Sequence, residues 1–170
     1  TAFRSMPQPL TPGRVAELGN RMMGQSYGWG GLYGDRDCSS TLRDLFAPFG
    51  IWLPRNSAAQ AGSGQQIKLQ DLSPEKKERL ILDEGIPFLS LIQLPGHIGL
   101  YIGSYNGQAA FFHNLWGLRT APSPATGGWS GRHILGRAVV TSLRPGAELP
   151  DIDKNALLID RMRVLTILGR

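Results

Sequence analysis

Apolar residues recur at helical spacing through the first 50 residues of the chain. Val15, Leu18 and Met22 lie three to four positions apart, behind a Thr-Pro pair that is typical of a helix N-terminus. A second apolar stripe spans residues 42–49, and its helix is predicted to begin at or near Cys38. Two helices are therefore predicted in the first third of the chain.

The pattern changes to short apolar runs, separated by turn residues, in the second half of the chain. Between the two patterns, residues 54–70 predict an irregular connection and residues 73–82 predict one short helix. Helices followed by an antiparallel meander predict an α+β domain and not the βαβ order of nucleotide-binding folds. Strands are predicted at 88–94, 98–102, 109–112 and 134–141.

Composition narrows the class of protein to a single globular domain. The 170 residues are 41% hydrophobic, and 18 basic against 13 acidic residues give a net charge of +5. This charge is dispersed and is not interleaved with aromatic residues, so we expect no nucleic-acid partner. No apolar run approaches the length of about 18 residues that spans a bilayer, so we expect no transmembrane segment. We also expect a monomer.

Cys38 is the only cysteine, so no internal disulfide can form. Its predicted place at a helix N-terminus supplies partial positive charge and free N–H groups, which lower the pKa of a thiol. The same N–H groups can stabilise an oxyanion during acyl transfer. Cys38 is thus a candidate nucleophile, and a small buried apolar cysteine is the alternative.

Two histidines are candidates to assist that thiol. His97 begins a predicted strand after a Pro-Gly turn, where it can act as a base, and Gly99 is expected to leave room for a substrate. His113 ends the following strand and can orient His97. A histidine on a strand is more often structural, so both interpretations stay open.

The turn between the two strands decides whether these histidines share a face of the sheet. A two-residue turn at Asn106 and Gly107 would place His113 opposite Leu100 and direct it away from His97. The catalytic interpretation therefore requires a three-residue loop or a β-bulge.

The cysteine and the three histidines do not have the short spacings of a zinc site, so we expect no metal and no other cofactor. His133 precedes the last predicted strand and is expected to be structural or exposed. Trp29, Trp52 and Trp116 are expected to pack in the core or along a groove.

Four segments, taken in order, resemble the signature of NlpC-type cell-wall peptidases. The likeness covers residues 15–141 and implies a papain-like α+β fold, in which helices, one with the catalytic cysteine at its N-terminus, pack on a central antiparallel sheet. It also implies a γ-D-glutamyl–diamino-acid endopeptidase that acts on peptidoglycan or muropeptides. The segments are Tyr-Gly-Trp-Gly-Gly at 27–31, Asp-Cys-Ser at 37–39, Leu-Pro-Arg-Asn-Ser at 53–57 and Gly-His-Ile-Gly-Leu-Tyr-Ile-Gly at 96–103.

The resemblance implies a catalytic role for four matching residues. Cys38 is the nucleophile, His97 is the general base, and His113 orients His97. The hydroxyl of Tyr27 is placed to help the oxyanion hole.

The resemblance also implies contacts with the stem peptide. Asp37, Ser39 and Ser57 occupy the places that make these contacts in relatives that cut between γ-D-glutamate and a diamino acid. A carboxylate at Asp37 would pair with the free amine of an N-terminal L-alanine, and so select peptides already freed from the glycan. Arg55 and Arg119 are candidates for binding stem-peptide carboxylates.

These features divide the chain into three parts. Residues 1–10 are expected to be a linker or arm from an upstream region, residues 11–145 the NlpC-type catalytic domain, and residues 146–170 a C-terminal extension. Residues 155–168 are apolar on too many sides to decide between helix and strand. The implied substrate places the protein in the periplasm or outside the cell.

Two other functions fit the same residues. An N-acetylmuramoyl-L-alanine amidase on the same fold would separate the glycan from L-alanine and would not need a free amine at Asp37. A non-catalytic cell-wall-binding module would carry a vestigial triad, and the presence of Cys38, His97 and His113 argues against it.

Overall fold

The computed structural model describes residues 6–169, with the exception of the Thr126 side chain. Residues 1–5, half of the expected linker, lie outside that range. Five α-helices and six β-strands form within it. In chain order they are α1 (Pro12–Met22), α2 (Cys38–Phe46), α3 (Ser57–Gln60), β1 (Gly64–Lys68), α4 (Pro74–Glu84), β2 (Ser90–Leu94), β3 (His97–Tyr105), β4 (Gln108–Arg119), β5 (Arg132–Thr141), α5 (Leu158–Arg161) and β6 (Val164–Leu168).

The predicted starts of α1, α2 and α4 are confirmed, and each of these helices begins after a residue whose side chain caps it. The hydroxyl of Thr11 caps α1 and that of Ser73 caps α4, each by accepting a backbone N–H from the first turn. Helix α2 begins at Cys38, with Asp37 as its cap. The candidate nucleophile is therefore the first residue of a helix.

All six strands form one antiparallel sheet in the order β1-β6-β2-β3-β4-β5. Strand β6 lies between β1 and β2, with Leu168 opposite Gly64 and Ile167 opposite Ser90. The expected extension at 146–170, of which the structure describes residues 146–169, thus supplies an inner strand of the sheet. Its two-sided apolar pattern arises because β6 is covered on both faces.

The prediction of an irregular connection at 54–70 is wrong in part, because this segment contains α3 and β1. Strand β1 is an edge strand with the sequence Gly-Gln-Gln-Ile-Lys, which has little of the apolar alternation that predicts a strand. Its place is decided by pairing with β6, about 100 residues later in the chain. Local sequence carries no signal of such a partner.

Two apolar clusters cover the two faces of the sheet. One packs α1 and α2 on the sheet and includes Phe46 and Ile98. The other packs α4 and the C-terminal segment on the opposite face and includes Ile81, Phe111 and Leu165. Among the described residues, no helix is long and apolar enough to cross a membrane.

The hairpin between β3 and β4 determines where the two candidate histidines lie. Its turn has two residues, Asn106 and Gly107, with φ values of 50° and 76° that are typical of a type I′ turn. A register shift between positions 101 and 103 then places Leu100 opposite Phe112. The β-bulge, and not a three-residue loop, therefore puts His113 on the face that His97 occupies.

Candidate active site

Cys38 is held at the N-terminus of α2 by a reciprocal cap. The Asp37 carboxylate accepts the backbone N–H of Ser40 at 2.9 Å, and the Ser40 hydroxyl accepts the backbone N–H of Asp37 at 2.9 Å. The Thr41 hydroxyl donates to the Asp37 carbonyl at 2.8 Å. These bonds fix the backbone around Cys38 and thereby the direction of its thiol and its N–H.

The Cys38 thiol is buried, with 6% of the residue exposed. Burial, followed by the charge of Asp37, raises the pKa of the thiol. Hydrogen bonds from backbone N–H groups, including that of Ile98, act in the opposite direction without offsetting the burial. The expectation of a lowered pKa is therefore wrong, and the thiol is protonated at neutral pH. The contribution of the Ile98 N–H shows that the sulfur lies near the residue that follows His97.

His97 and His113 form a hydrogen-bonded pair whose protonated nitrogens follow from the partners. Nε2 of His97 lies 2.8 Å from Nδ1 of His113, and Nε2 of His113 lies 3.0 Å from the Thr141 hydroxyl. That hydroxyl donates its proton to the carbonyl of Ser142 at 2.7 Å, so it accepts from His113. His113 thus carries its proton on Nε2, and His97 donates from Nε2. The unprotonated nitrogen of His97 is Nδ1.

Both histidine rings are buried, with 8% of His97 and 1% of His113 exposed. Burial, followed by the positive charge of Arg161, lowers the pKa of His97 to about 4. Burial, followed by the neighbouring His97, lowers the pKa of His113 well below its usual value. At neutral pH, the pair is uncharged and His97 can accept a proton.

Gly99 has a different role from the one expected. A Cβ atom at this position would lie 2.6 Å from the Phe111 ring and 2.7 Å from Cβ of His113. The ring of Phe111 also packs on His113, with 4.5 Å between the centroids. The space beside Gly99 is therefore filled by these side chains and does not admit a substrate.

Tyr27 brings its hydroxyl close to the Cys38 thiol. The Tyr27 backbone is tied to β5, because its N–H donates to the Gly136 carbonyl at 2.9 Å. Burial, followed by the charges of Cys38 and Asp37, raises the pKa of the Tyr27 hydroxyl. The hydroxyl therefore keeps its proton and remains a hydrogen-bond donor beside the thiol.

Asp37 and Arg55 form a bidentate ion pair next to Cys38. Nη1 of Arg55 lies 3.0 Å from Oδ1 of Asp37, and Nη2 lies 2.7 Å from Oδ2. Burial would raise the pKa of Asp37, but the bonds from Arg55 and Ser40 outweigh it and lower this pKa to about 2. The carboxylate is thus ionised at every physiological pH. Within residues 6–169, its Oδ2 accepts the Arg55 bond alone.

The loop that carries Arg55 is joined to the first turn of α2. The Ser39 hydroxyl donates to the Arg55 carbonyl at 2.6 Å and accepts from its guanidinium at 2.9 Å. The buried Gln60 side chain donates to the carbonyls of Ser39 and Pro54, both at 2.8 Å. Ser57 begins α3 on the same loop and is half-buried. Gln60 was missed from the sequence, because it lies in a segment without apolar periodicity.

Asn114 is a second residue that sequence reasoning missed. Its side-chain amide donates to the Arg36 carbonyl at 2.7 Å and to the Thr41 hydroxyl at 3.2 Å. It thereby joins the strand residue after His113 to the first turn of α2. The available signal was that Asn114 lies two positions after the buried Phe112, so that both side chains lie on the same face of the strand.

A groove of about 330 Å³ opens beside Tyr27 and His97. Trp29 and Trp116 line it and pack on the Tyr27 ring, with centroid distances of 5.1 and 5.8 Å, so both tryptophans stand along a groove as expected. Two arginines that the sequence did not single out also line it; these are Arg132 and Arg161.

Three residues weighed from the sequence lie away from this groove. Arg119 pairs with Asp153 at 3.3 Å and so is not brought to the site. His133 is exposed, as expected, and lies 3.0 Å from Asp151. Trp52 is 78% exposed, which contradicts its expected packing.

Residues 24–137, more than half of the chain, match the pattern of the NlpC/P60 family. The chain belongs to the NlpC/P60 family. The matched range holds all the candidates from Tyr27 to His113, whereas Thr141 and Arg161 lie beyond its end.

Named relatives share part of this NlpC/P60 domain. A γ-D-glutamyl-L-lysine dipeptidyl-peptidase of Bacillus subtilis is 29% identical over 90 residues, which are 52% of this chain and 28% of that protein. A protein of Mycobacterium tuberculosis named a probable endopeptidase is 33% identical over 90 residues, 52% of this chain and 20% of that protein. The match thus spans less than a third of either relative.

A solved structure shares most of the chain's fold. An NlpC/P60 endopeptidase from Photobacterium damselae subsp. piscicida has a TM-score of 0.84 at 29% identity, over 96% of this chain and 40% of that chain. The fold is therefore the papain-like α+β fold of NlpC/P60 domains, with helices packed on a central antiparallel sheet.

Proposed function

We propose that this protein is a cysteine endopeptidase that hydrolyses peptidoglycan stem peptides between γ-D-glutamate and diaminopimelate. The observation that carries the proposal is the hydrogen-bonded chain from His97 through His113 to Thr141, which leaves Nδ1 of His97 free as a base. The Cys38 sulfur lies near the Ile98 amide, at the same end of β3. Relatives named a probable endopeptidase and a γ-D-glutamyl-L-lysine dipeptidyl-peptidase support the same reaction class.

The reaction begins from a neutral thiol and a neutral imidazole. Nδ1 of His97 takes the thiol proton as the Cys38 sulfur attacks the γ-carbonyl carbon of the glutamyl residue. The imidazolium then gives this proton to the amine of the departing diamino acid, and the C–N bond breaks to leave a thioester. His97 next takes a proton from water as the water oxygen attacks the thioester. The imidazolium then returns this proton to the departing sulfur, and the C–S bond breaks to release the dipeptide and the Cys38 thiol. His113 holds the ring of His97 in one orientation throughout.

Two donors are placed to stabilise the tetrahedral oxyanion. The backbone N–H of Cys38 lies at the N-terminus of α2, where the helix dipole favours negative charge. The Tyr27 hydroxyl keeps its proton because its pKa is raised, and it lies beside the Cys38 side chain. Together they supply the oxyanion hole that acyl transfer requires.

The pair of Asp37 and Arg55 supplies opposite charges for the residues before the scissile bond. Arg55 uses three hydrogen bonds to Asp37 and Ser39, which leaves two of its five N–H donors for the free α-carboxylate of γ-D-glutamate. Oδ2 of Asp37 can accept a hydrogen bond from the ammonium group of an N-terminal L-alanine. Ser39 and Ser57 border the same loop and complete this side of the site.

Acetylation of the substrate amine separates this reaction from its alternative. The endopeptidase is expected to cleave L-Ala-γ-D-Glu-diaminopimelate and to lose at least tenfold in kcat/KM on the N-acetylated peptide, because the acetylated nitrogen no longer offers Oδ2 of Asp37 a charged donor. An N-acetylmuramoyl-L-alanine amidase would instead cleave muropeptides before L-alanine, a product that mass spectrometry distinguishes. Binding of muropeptides without any product would identify a cell-wall-binding module.

The substrate also sets the proposed place of action. Peptidoglycan and its muropeptides lie in the cell envelope, so we assign the protein to the periplasm or the exterior, where it acts as a monomer. Its sequence contains one candidate nucleophile, Cys38, and the proposed chemistry requires no metal.

A further inference from the structure

The groove beside His97 is lined by two positively charged residues that have no role in the proposed reaction. Arg132 is the first residue of β5 and Arg161 is the last residue of α5, and both line the groove. Within the described part of the chain, neither guanidinium forms an ion pair with a carboxylate. Two cations without a carboxylate partner among residues 6–169 thus line the groove that the proposed base borders.

The surroundings of Arg161 increase this excess of positive charge. Burial, followed by the charges of Arg132, Arg119 and Arg163, lowers the pKa of Arg161. Of these four arginines, Arg119 alone pairs with a carboxylate among residues 6–169, that of Asp153. Arg161 is half-buried and the other three arginines are exposed, and such a cluster of positive charge favours an anionic ligand. Arginine suits a carboxylate in particular.

Arg161 is held on a fixed element. The buried Lys77 of α4 donates to the carbonyls of Ile159 and Asp160, at 3.1 and 2.7 Å, and so anchors α5. Nη2 of Arg161 donates to the Pro95 carbonyl at 2.9 Å, in the turn before β3. This bond uses one of five N–H donors and leaves the others for a ligand in the groove.

The lining of the groove indicates which part of a substrate it receives. Tyr27 and His97 border the groove, whereas Asp37 and Arg55 do not. If that ion pair holds the residues before the scissile bond, as proposed, then the groove receives the residue after it. Its volume of about 330 Å³ is sufficient for one amino-acid residue.

We propose that Arg132 and Arg161 form a carboxylate-binding subsite for the residue that follows the scissile bond. This inference rests on the proposed function. The side chain of diaminopimelate ends in a carbon that carries a carboxylate together with an ammonium group, whereas that of lysine ends in an ammonium group alone. Two arginines attract the carboxylate and repel the lone ammonium group. A peptide that ends at this residue also carries a main-chain carboxylate, which is the second source of the same chemistry.

Four tripeptides distinguish the two sources. Each begins with L-Ala-γ-D-Glu and ends in meso-diaminopimelate or L-lysine, with the main-chain carboxyl group either free or amidated. The value of kcat/KM is measured for the unmutated protein, Arg132→Gln and Arg161→Gln. Arg163→Gln is the matched control, because this exposed arginine lies nearby but does not line the groove.

The readout is the kcat/KM of each peptide relative to that of the lysine amide. We expect this ratio to fall about tenfold in Arg132→Gln and in Arg161→Gln, and to stay constant in Arg163→Gln. A fall confined to the diaminopimelate peptides identifies the side-chain carboxylate as the ligand. A fall confined to peptides with a free main-chain carboxyl group identifies that carboxylate instead. Equal losses on all four peptides, or no losses, overturn the subsite.

Failure of the proposed function would be recognised separately. If the unmutated protein cleaves none of the four peptides, the proposed function is wrong, and the subsite is tested by calorimetric binding of the same peptides. Weaker binding of carboxylate-bearing peptides to Arg132→Gln and Arg161→Gln supports the subsite. Equal binding by all the proteins, or binding by none, overturns it.

Discussion

The Thr141 hydroxyl lies 3.0 Å from Nε2 of His113 and gives its own proton to a backbone carbonyl. This relationship makes the hydroxyl an acceptor and so places the His113 proton on Nε2. Nδ1 of His113 is then unprotonated and accepts the proton of Nε2 of His97. The basic nitrogen of His97 is therefore Nδ1. A strand outside the His97–His113 hairpin thus determines which nitrogen can act as base.

Removal of the Thr141 hydroxyl is expected to reduce catalysis more than substrate binding. In Thr141→Val, His113 loses the acceptor that fixes its tautomer, and we expect kcat to fall about tenfold with KM little changed. Steady-state kinetics on the tripeptide measures both values. Thr141→Ser keeps the hydroxyl and should restore most of the rate, and an equal loss in both variants would contradict the account.

The pH dependence of kcat/KM reports the ionisation of His97. Because its pKa is lowered to about 4, the imidazole stays neutral down to that pH, and the acidic limb should lie near pH 4 and not near 6.5. Arg161→Gln removes a positive charge that lowers this pKa, so its acidic limb should move to higher pH. Arg163→Gln should leave the limb in place. A limb near pH 6.5 in the unmutated protein would contradict a buried neutral base.

Close packing at Gly99 makes an alanine there costly. Its Cβ would collide with the Phe111 ring and with Cβ of His113, so we expect Gly99→Ala to lower the free energy of unfolding by about 1–3 kcal/mol and to reduce activity. Denaturant unfolding and kinetics measure the two effects. Gly19→Ala in α1 is the control, because a Cβ there meets no atom within 4 Å and should stabilise the helix by about 0.5–1 kcal/mol. Similar unfolding energies for the two variants would argue against the packing role.

Arg55 is expected to act through substrate binding. Arg55→Gln removes the cation proposed for the γ-D-glutamate carboxylate, so KM should rise about tenfold or more while kcat changes less. The Asp37 pKa should rise as well, because the bonds from Arg55 help to lower it. Arg43→Gln provides a control, since Arg43 lies on α2 and pairs with Asp44. A fall in kcat alone would place Arg55 in the chemical step.

Features that depend on neighbouring residues were predictable from the sequence. The start of α2 at or near Cys38 follows from the apolar stripe at 42–49, which lies within a few residues of the thiol. The strands that carry His97 and His113 follow from alternation and from turn residues. The need for a three-residue loop or a β-bulge also followed from the sequence, because a regular two-residue hairpin would place His97 and His113 on opposite faces of the sheet.

Features that depend on distant partners were not predictable. Strand β6 lies between β1 and β2 and pairs with both, and no pattern within its own sequence indicates which strands are its partners. The thiol pKa was predicted with the wrong sign, because the helix N-terminus is visible in the sequence whereas the burial of Cys38 is not. Arg161 reaches the groove through contacts with residues about 65 or more positions away, at Pro95 and Lys77.

The measurement that tests the central claim most directly is mass spectrometry of the products formed from L-Ala-γ-D-Glu-diaminopimelate. We predict that the unmutated protein releases the dipeptide L-Ala-γ-D-Glu and free diaminopimelate, and that Cys38→Ala and Cys38→Ser release neither while keeping the fold by circular dichroism. Release of the dipeptide by Cys38→Ala at an undiminished rate would contradict Cys38 as the nucleophile. Release of no product by the unmutated protein would contradict the proposed reaction itself.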